Sequence, residues 1–296
     1  MNLTKPLKST LLKVISSPES LRDAWDALNK SNKNSRGLSR ETIEEFKNSL
    51  DTQILEVSKL LAANKYKFNQ VRAVLIPKKT EGEFRPLRIA DIRDRLVQKA
   101  LSMILDKLLS SKYQLNNGCS FAYQDDLGVK HAVQKMVEHY KNGFKIILEA
   151  DIKKFFDTVN RKNLLAKVFT DLPDSSINNL IEESLAQSVG NLADLSHDFH
   201  HYFTESINGI PQGNSLSPLL ANIYLSDFDQ RMIKEGLCLV RYADDFIVLC
   251  KTTKDARKAY EIAKDELEIK LGLELHPLPT PQREAPTQTR KHQPWP

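Results

Sequence analysis

The sequence predicts an α+β fold in which a small antiparallel sheet is backed by helices on one face. Apolar, β-prone runs predict a buried strand at Phe144–Asp151 and two strands on either side of the pair Asp244-Asp245. A tight turn links those last two strands, and such a turn joins antiparallel neighbours. Most other stretches carry apolar residues at helical spacing. Together these observations favour helices packed on a sheet whose strands meet near the carboxylate pair.

Length and composition indicate a globular protein. The 296 residues can bury one large core or two smaller ones, and the hydrophobic and charged fractions are 41% and 27%. The 43 Lys and Arg residues exceed the 38 Asp and Glu residues, so a formal charge of +5 mildly favours a polyanionic partner. Without a membrane-spanning run or a signal-peptide core, we expect a cytoplasmic protein with no membrane partner. Three unclustered cysteines, Cys119, Cys238 and Cys250, predict neither a disulfide framework nor a zinc site.

Residues 1–65 predict a polar, mostly helical extension. Ser17 followed by Pro18 is a typical helix start. After a break rich in Ser and Asn, one long amphipathic helix is expected from Ser39 to Ala63. No residue pattern in this extension indicates chemistry.

A basic β-hairpin is predicted next. The strand Val71–Pro77 leads through a turn at Thr80–Glu83 into a second strand that ends near Ile89. Lys78 and Arg85 would then stand on adjacent strands, where they could grip phosphates. A solvated basic hairpin without a ligand is the alternative, and local sequence alone favours it.

Three helices and an irregular segment follow in the chain. The helices are expected at Asp91–Ser111, Leu127–Tyr140 and 174–189. The segment Gly190–Asn208 reads as irregular or hairpin-like and contains a histidine cluster at His197, His200 and His201. Histidines at this spacing can share a helical face as zinc ligands do, but no helix signal or further ligand accompanies them, so we expect no metal there.

Carboxylates at strand ends are the candidate chemical groups. Asp151 closes the apolar strand, and a half-buried carboxylate there needs a cation or hydrogen-bond donors. Asp244 and Asp245 would project from the tip of a hairpin, although Asp is also an ordinary turn residue. Asp157 is more simply interpreted as the cap of the next helix, expected from Val159 to Phe169.

The loop Gly209–Pro218 is a second candidate site. Gln212 offers a donor and an acceptor, and Gly213 permits close approach of a ligand to the backbone. Ser217 and Pro218 then start a helix. A purely structural loop between strand and helix is the alternative interpretation.

On the predicted antiparallel sheet, Asp151 and Asp244 can be neighbours despite their separation in sequence. Converging carboxylates repel one another unless cations neutralise them. Oxygen ligands suit Mg²⁺, and a pair of divalent cations can clamp the attacking and leaving oxygens of an in-line phosphoryl displacement. The sequence therefore indicates nucleotidyl transfer.

Four motifs, in this order, resemble those of reverse transcriptases, most closely the bacterial group II intron type and its CRISPR-associated relatives. The motifs are Ile76–Lys79 with Arg85–Leu87, Ala150–Asp157, Ile210–Leu225 and Arg241–Asp245. Each motif alone is weak, but four at family-like spacing are specific. The resemblance covers roughly Ser31 to Leu275. It implies the fingers and palm of a right-hand polymerase fold.

The resemblance also implies a catalytic centre. Asp151, Asp244 and Asp245 would be catalytic and would bind two Mg²⁺ ions, with the backbone carbonyl of Ile152 as a further ligand. The implied substrates are dNTPs, an RNA template and a DNA or RNA primer. Intron RNA or a CRISPR adaptation protein is a further candidate partner.

Residues around the incoming nucleotide are assigned in the same way. The nucleotide-binding set would be Lys78, Arg85, Phe156, Gln212 and Gly213. Within it, Lys78 and Arg85 would contact the triphosphate, and the ring of Phe156 would fill the space that a 2′-hydroxyl needs. Tyr242 would lie near the primer end.

Two positions depart from the family pattern. Gln124 stands where the family commonly has Arg, which puts a template or fold contact in doubt. After Leu275 the family continues into a primer-grip hairpin and a helical thumb, whereas residues 276–296 predict a disordered Pro-rich tail. We therefore expect an N-terminal extension at 1–65, a fingers–palm domain at 66–275, no thumb, and reduced activity.

Two alternatives remain open at this point. RNA-dependent RNA polymerases share the palm, but they usually place a carboxylate where Phe156 stands, so the gate favours deoxynucleotides. A non-catalytic, RNA-binding, maturase-like remnant of a reverse transcriptase is the other alternative. The intact carboxylates argue against it, and the aberrant tail argues for it.

Overall fold

The structure is a computed structural model, and it describes residues 9–31, 35–204 and 206–278. Within these ranges the chain forms a two-stranded hairpin and a three-stranded antiparallel sheet, both surrounded by helices. This architecture confirms the predicted α+β fold. Most buried apolar side chains belong to one core that runs from the N-terminal helices to the three-stranded sheet.

Four helices precede the first strand, at Leu11–Ile15 (α1), Pro18–Asp26 (α2), Ile43–Asn48 (α3) and Leu50–Ala62 (α4). The Ser17 hydroxyl accepts a hydrogen bond from the backbone N–H of Ser20, so the predicted cap of α2 is confirmed. The single helix predicted from Ser39 to Ala63 is wrong. Ser49, with φ −115° and ψ 18°, leaves the helical region and divides it into α3 and α4.

The predicted basic hairpin is present as strands β1 (Arg72–Pro77) and β2 (Phe84–Ile89). Ile76 pairs with Arg85 in antiparallel register. The next two helices, α5 (Ile92–Leu109) and α6 (Val129–Lys141), agree closely with the sequence prediction.

The three-stranded sheet is formed by β3 (Ile146–Asp151), β4 (Cys238–Tyr242) and β5 (Asp245–Cys250), in the order β3-β5-β4. The remaining helices are α7 (Phe155–Thr158), α8 (Arg161–Asp171), α9 (Asn178–Leu185), α10 (Ser217–Lys234) and α11 (Thr253–Lys264), the last followed by a π-helical turn at Asp265–Lys270. Two short 3₁₀ segments, Leu192–Asp194 and His197–Phe203, lie in the segment predicted to be irregular.

Side chains of the sheet alternate between two apolar clusters, as the two-residue period of a strand requires. Leu239, Phe246 and Val248 join the main core, whereas Val240 and Leu249 join a smaller cluster that includes Ala132 of α6. The sequence predicted helices on one face only. In the structure α6 also packs against β4 and β5, so part of the second face is covered.

The chain returns to the sheet after α11. A final strand was predicted at Leu273–Leu275, but Leu275 forms only an isolated antiparallel bridge with Ile152. The backbone N–H of His276 donates to the Asp151 carbonyl at 2.9 Å. The predicted tail lies outside the described residues beyond Leu278. No helix in the described ranges is long and apolar enough to cross a membrane.

A buried ion pair joins the sheet to α10. Arg241 of β4 is 1% exposed, and its Nε donates to Asp229 Oδ1 at 2.7 Å while Nη2 donates to Oδ2. Its Nη1 donates to the Ala243 carbonyl at 2.9 Å and to Asn222 Oδ1 at 3.2 Å. Asn117 Nδ2 donates to Asp229 at 3.0 Å. One guanidinium therefore connects β4, α10 and the turn that follows β4.

We expect Asp229→Ala to destabilise the protein by about 3–5 kcal/mol, because it leaves the Arg241 charge buried without its partner. Asp227→Ala is the matched control on the same helix. Asp227 pairs with Lys167 at the surface, and losing such a pair costs about 0–1 kcal/mol. Denaturant unfolding of both variants measures the difference. Equal, small losses would show that Arg241 finds other compensation.

Candidate active site

The carboxylates predicted to converge do so at one end of the three-stranded sheet. Asp151, the last residue of β3, pairs with Asp245, the first residue of β5. Asp244 lies in the two-residue turn between β4 and β5, where Ala243 has a φ of 60°. A left-handed residue is what a tight hairpin of this type requires, and the hydrogen bond from Arg241 to the Ala243 carbonyl holds it.

The electrostatics of this end of the sheet favour the neutral carboxyl form. Burial and then the charges of Asp245 and Asp244 raise the pKa of Asp151 to about 6, while His276 opposes the shift. Burial, followed by the Asp245 charge, also raises the pKa of Asp244, against opposing contributions from Arg85 and Arg241. The nearby basic residues therefore leave part of the carboxylate repulsion uncompensated.

The donor set suits a divalent cation, although the side chains do not enclose one as they stand. Within the described ranges, no three His, Cys, Asp or Glu side chains form a group that could hold a metal ion. The aligned carboxylates nevertheless supply the hard oxygen ligands that Mg²⁺ prefers, and a cation would relieve their repulsion. Ile152, whose carbonyl is a predicted ligand, directly follows Asp151 and has a buried side chain.

The two basic residues predicted to bind phosphates, Lys78 and Arg85, lie in different surroundings on the hairpin. Arg85 on β2 is exposed, and its charge lowers the pKa of Asp244 in the carboxylate turn. Lys78 follows β1 and has its Nζ 3.3 Å from Glu83 Oε2. Lys78 also lowers the pKa of Asp157, which burial raises.

The predicted gate, Phe156, lies in the short helix α7 directly after β3. Its ring packs edge-on against buried Phe155, with centroids 5.5 Å apart. Lys154, with a φ of 46°, reverses the chain between β3 and α7. Asp157, predicted to be a helix cap, is part of α7, and Asn160 caps α8 instead by accepting from the backbone N–H of Asn163.

The Pro-Gln-Gly loop is wedged between the gate and the basic hairpin. The backbone N–H of Arg88 donates to the Gln212 carbonyl at 2.8 Å. A Cβ on Gly213, whose φ is 102°, would lie 2.7 Å from the Arg88 carbonyl oxygen. A Cβ on Gly209 would lie 2.8 Å from the Phe156 carbonyl oxygen. Backbone therefore approaches backbone on both sides of this loop. At Gly213 the approaching group is the Arg88 backbone, and the close approach of a ligand stays a prediction.

The histidine cluster is not part of this arrangement. The rings of His197 and His200 are 5.2 Å apart within a 3₁₀ segment. His200 Nε2 lies 3.2 Å from the Leu195 carbonyl oxygen, and His201 Nδ1 lies 2.7 Å from that of Asp198. Each of these two rings has a nitrogen directed at a backbone carbonyl.

Sequence reasoning gave no role to two residues that the structure places at the site. Arg241 was quoted only as part of a motif, and its buried partner Asp229 is on another element. Tyr123 is exposed and has Asp244, Tyr242 and Arg85 among its charged or titratable neighbours. Gln124, which departs from the family pattern, donates from Nε2 to the Ser120 carbonyl at 2.9 Å. An aromatic residue one position before that departure was the available signal for Tyr123.

Comparisons with known proteins show which sequences and structures this chain resembles. The family described as Reverse transcriptase (RNA-dependent DNA polymerase) matches residues 76–278. Protein YkfC of Escherichia coli is 26% identical, over 90% of this chain and 77% of that protein. The group II intron-encoded protein LtrA of Lactococcus lactis is 28% identical, over 67% of this chain and 31% of that protein. A solved chain from a structure titled "Partial Cas6-RT-Cas1–Cas2 complex" is 26% identical with a TM-score of 0.48, over 90% of this chain and 44% of that chain.

We expect Asp151→Asn to change how stability depends on pH when no metal is added. Folding raises the pKa of Asp151 from 3.8 to about 6, so the stability it contributes is complete below pH 3.8 and is lost as the pH rises through about 6. The free energy of unfolding of the variant should rise relative to that of the wild type between about pH 4 and pH 7. Because the group is half-exposed, solvent screening limits the gain to about 1 kcal/mol or less.

Denaturant unfolding in EDTA at several pH values measures this gain. Asp194→Asn is the control, since Asp194 is exposed at the end of a short 3₁₀ turn. A difference between Asp151→Asn and wild type that stays constant with pH would contradict the assigned repulsion.

Proposed function

We propose a function from one premise: the chain belongs to the reverse transcriptase family, the RNA-dependent DNA polymerases. It copies an RNA template into DNA by transferring nucleotides from dNTPs onto the 3′-hydroxyl of a DNA or RNA primer. The observation that carries this proposal is the register of β3 and β5, which sets Asp151 beside Asp245 next to the turn that holds Asp244. Carboxylates whose repulsion is not fully compensated by basic side chains suit a reaction that uses bound divalent cations.

Asp151, Asp244 and Asp245 would hold two Mg²⁺ ions, with the Ile152 carbonyl as a further ligand. When bound, the ions supply charge neutralisation at the phosphoryl group and activation of the primer hydroxyl. The contribution of the chain is to keep the carboxylates fixed at the end of the sheet. The hydrogen bond from Arg241 to the Ala243 carbonyl supports this, since it fixes the turn while the Arg241 guanidinium is paired with Asp229.

The incoming nucleotide would lie between the basic hairpin and the sheet. Arg85, whose charge lowers the pKa of Asp244, would bind the triphosphate together with Lys78. Gln212 and Gly213 would border the nucleotide, and their backbone contacts with Arg88 fix that border. Catalysis then consists mainly of positioning and charge neutralisation, as phosphoryl transfer requires.

The primer end would lie beside Tyr242, which is exposed at the end of β4 and pairs with Asp245. The attacking hydroxyl would then lie next to the carboxylates, on the side away from Lys78 and Arg85. The natural template is proposed only as RNA. Intron RNA or a CRISPR adaptation protein would be a further partner, in keeping with the group II intron-encoded relative.

Primer extension tests the function directly. With poly(rA)/oligo(dT), dTTP and Mg²⁺, the wild type should extend the primer. Asp244→Asn should reduce the rate by about 100-fold or more, because it removes a charge at the reacting phosphate without changing side-chain size. EDTA should abolish synthesis.

A maturase-like remnant without catalysis would give a different result. Wild type and Asp244→Asn would then be equally inactive while both still bound RNA in a filter-binding assay. That outcome would overturn the enzymatic proposal and favour an RNA-binding role.

We expect Phe156→Ala to relax sugar discrimination, because a smaller side chain leaves room for a 2′-hydroxyl. The ratio of kcat/KM for dTTP over UTP should fall by about 10- to 200-fold, the range expected for a steric pocket contact. Phe144→Ala is the control, since Phe144 packs with the smaller cluster on the other face of the sheet. An unchanged ratio in an active Phe156→Ala enzyme would show that the ring is not the gate.

A further inference from the structure

Tyr123 is an exposed aromatic residue with a left-handed backbone conformation. Its φ is 61°, in the left-handed region that bulky side chains seldom adopt. Its side chain is 46% exposed and belongs to neither apolar cluster. Backbone strain persists only where the surroundings enforce it, and here burial of the ring does not explain it.

The surroundings that enforce the strain are the same ones that hold the carboxylate turn. The Phe121 backbone N–H donates to the Arg241 carbonyl at 3.0 Å, and the Arg241 N–H donates to the Cys119 carbonyl at 2.7 Å. Asn222 Nδ2 donates to the Ala122 carbonyl at 2.9 Å. The residue before Tyr123 is therefore anchored to α10, and the segment before that is anchored to β4.

The anchoring places Tyr123 beside the end of β4, since Ser120 forms a parallel bridge with Arg241 and Tyr123 follows three residues later. Burial and then the charges of Asp244 and Tyr242 raise the pKa of the Tyr123 phenol, whereas Arg85 lowers it, in agreement with that position. These residues come from the carboxylate turn, the end of β4 and the basic hairpin. Tyr123 is therefore an exposed aromatic residue next to the turn that carries Asp244.

We propose that Tyr123 is a stacking contact for a base at the end of the primer–template, held in place by the loop that pairs with β4. The inference rests on the proposed function. In the proposed function Arg85 binds phosphates, and the carboxylates repel them. An uncharged ring near these groups is therefore better suited to contact a base than a phosphate. Aromatic rings stack on any base, which suits an enzyme that must accept every template sequence. A rigid backbone beneath the ring reduces the ordering cost of that contact.

Binding of a fluorescent primer–template tests the proposal without requiring synthesis. The probe is oligo(rA) annealed to oligo(dT), with one 2-aminopurine either opposite the primer terminus or at the first unpaired template position. Binding is measured in EDTA by anisotropy, and base stacking by the emission of 2-aminopurine. The variants are Tyr123→Ala, Tyr123→Phe and Tyr123→Leu. Tyr140→Ala, which removes a 50% exposed tyrosine from α6, is the matched control.

We expect Tyr123→Ala and Tyr123→Leu to weaken binding by about 5- to 150-fold, the loss typical of one stacked base. Emission of bound probe should change at one of the two positions. Tyr123→Phe should match the wild type in both readouts, because it keeps the ring, and Tyr140→Ala should also match it. Thermal unfolding of each variant identifies any general loss of structure. We expect no such loss in Tyr123→Leu or Tyr123→Phe.

Two results would overturn the inference. One is wild-type affinity and emission in folded Tyr123→Ala at both probe positions. The other is a Tyr123→Phe variant as weak as Tyr123→Ala, which would assign the contact to the hydroxyl. Neither depends on whether the wild type extends a primer. An inactive wild type that still stacks the probe would overturn the proposed function alone, and an active enzyme indifferent to Tyr123→Ala would overturn this inference alone.

Discussion

A guanidinium buried beneath the β4–β5 turn holds together the elements on which the site depends. Arg241 binds Asp229 through two nitrogens and uses a third to hold the Ala243 carbonyl. The same strand residue pairs through its backbone with the loop that leads to Tyr123. A buried charge is costly to desolvate, so such a pair is retained where it fixes geometry better than apolar packing could. Here it fixes a left-handed turn residue beside Asp244, while its guanidinium makes its ion pair with Asp229.

The carboxylate end of the sheet is, in consequence, a locally unfavourable arrangement that is stabilised by the buried residues around it. Asp151 and Asp245 face each other in register, and burial together with like charge raises the pKa of Asp151. A polar, strained site of this kind persists because the surrounding core over-determines it. The main core contributes Phe246 and Val248 from the strand that carries Asp245. One face of β5 therefore packs in the main core, and the other face carries the proposed catalytic residue Asp245.

Periodicity and turn chemistry were sufficient to predict the basic hairpin, the carboxylate hairpin and the strand ending at Asp151, because these are local signals. Prediction failed where a tertiary contact decides. Leu275 reaches only a bridge with Ile152. The break at Ser49 has a local cause instead, since its hydroxyl donates to the Phe46 carbonyl three residues earlier. The partnership of Arg241 with Asp229 joins two elements, and the backbone of Tyr123 follows from contacts with β4 and α10. Composition and spacing carry no information on such contacts.

The Pro-Gln-Gly loop shows why the proposed nucleotide site depends on backbone more than on side chains. The hairpin that carries Arg85 has only two strands, so its position relative to the carboxylates must be set by what it touches. One such contact is the hydrogen bond from Arg88 to Gln212, beside which Gly213 leaves no room for a Cβ. On its other side, the loop meets the Phe156 carbonyl at Gly209. The Pro-Gln-Gly loop thus contacts the backbone of both Phe156 and the basic hairpin. A shift in any of the three would move the basic side chains proposed to bind the triphosphate relative to Asp244.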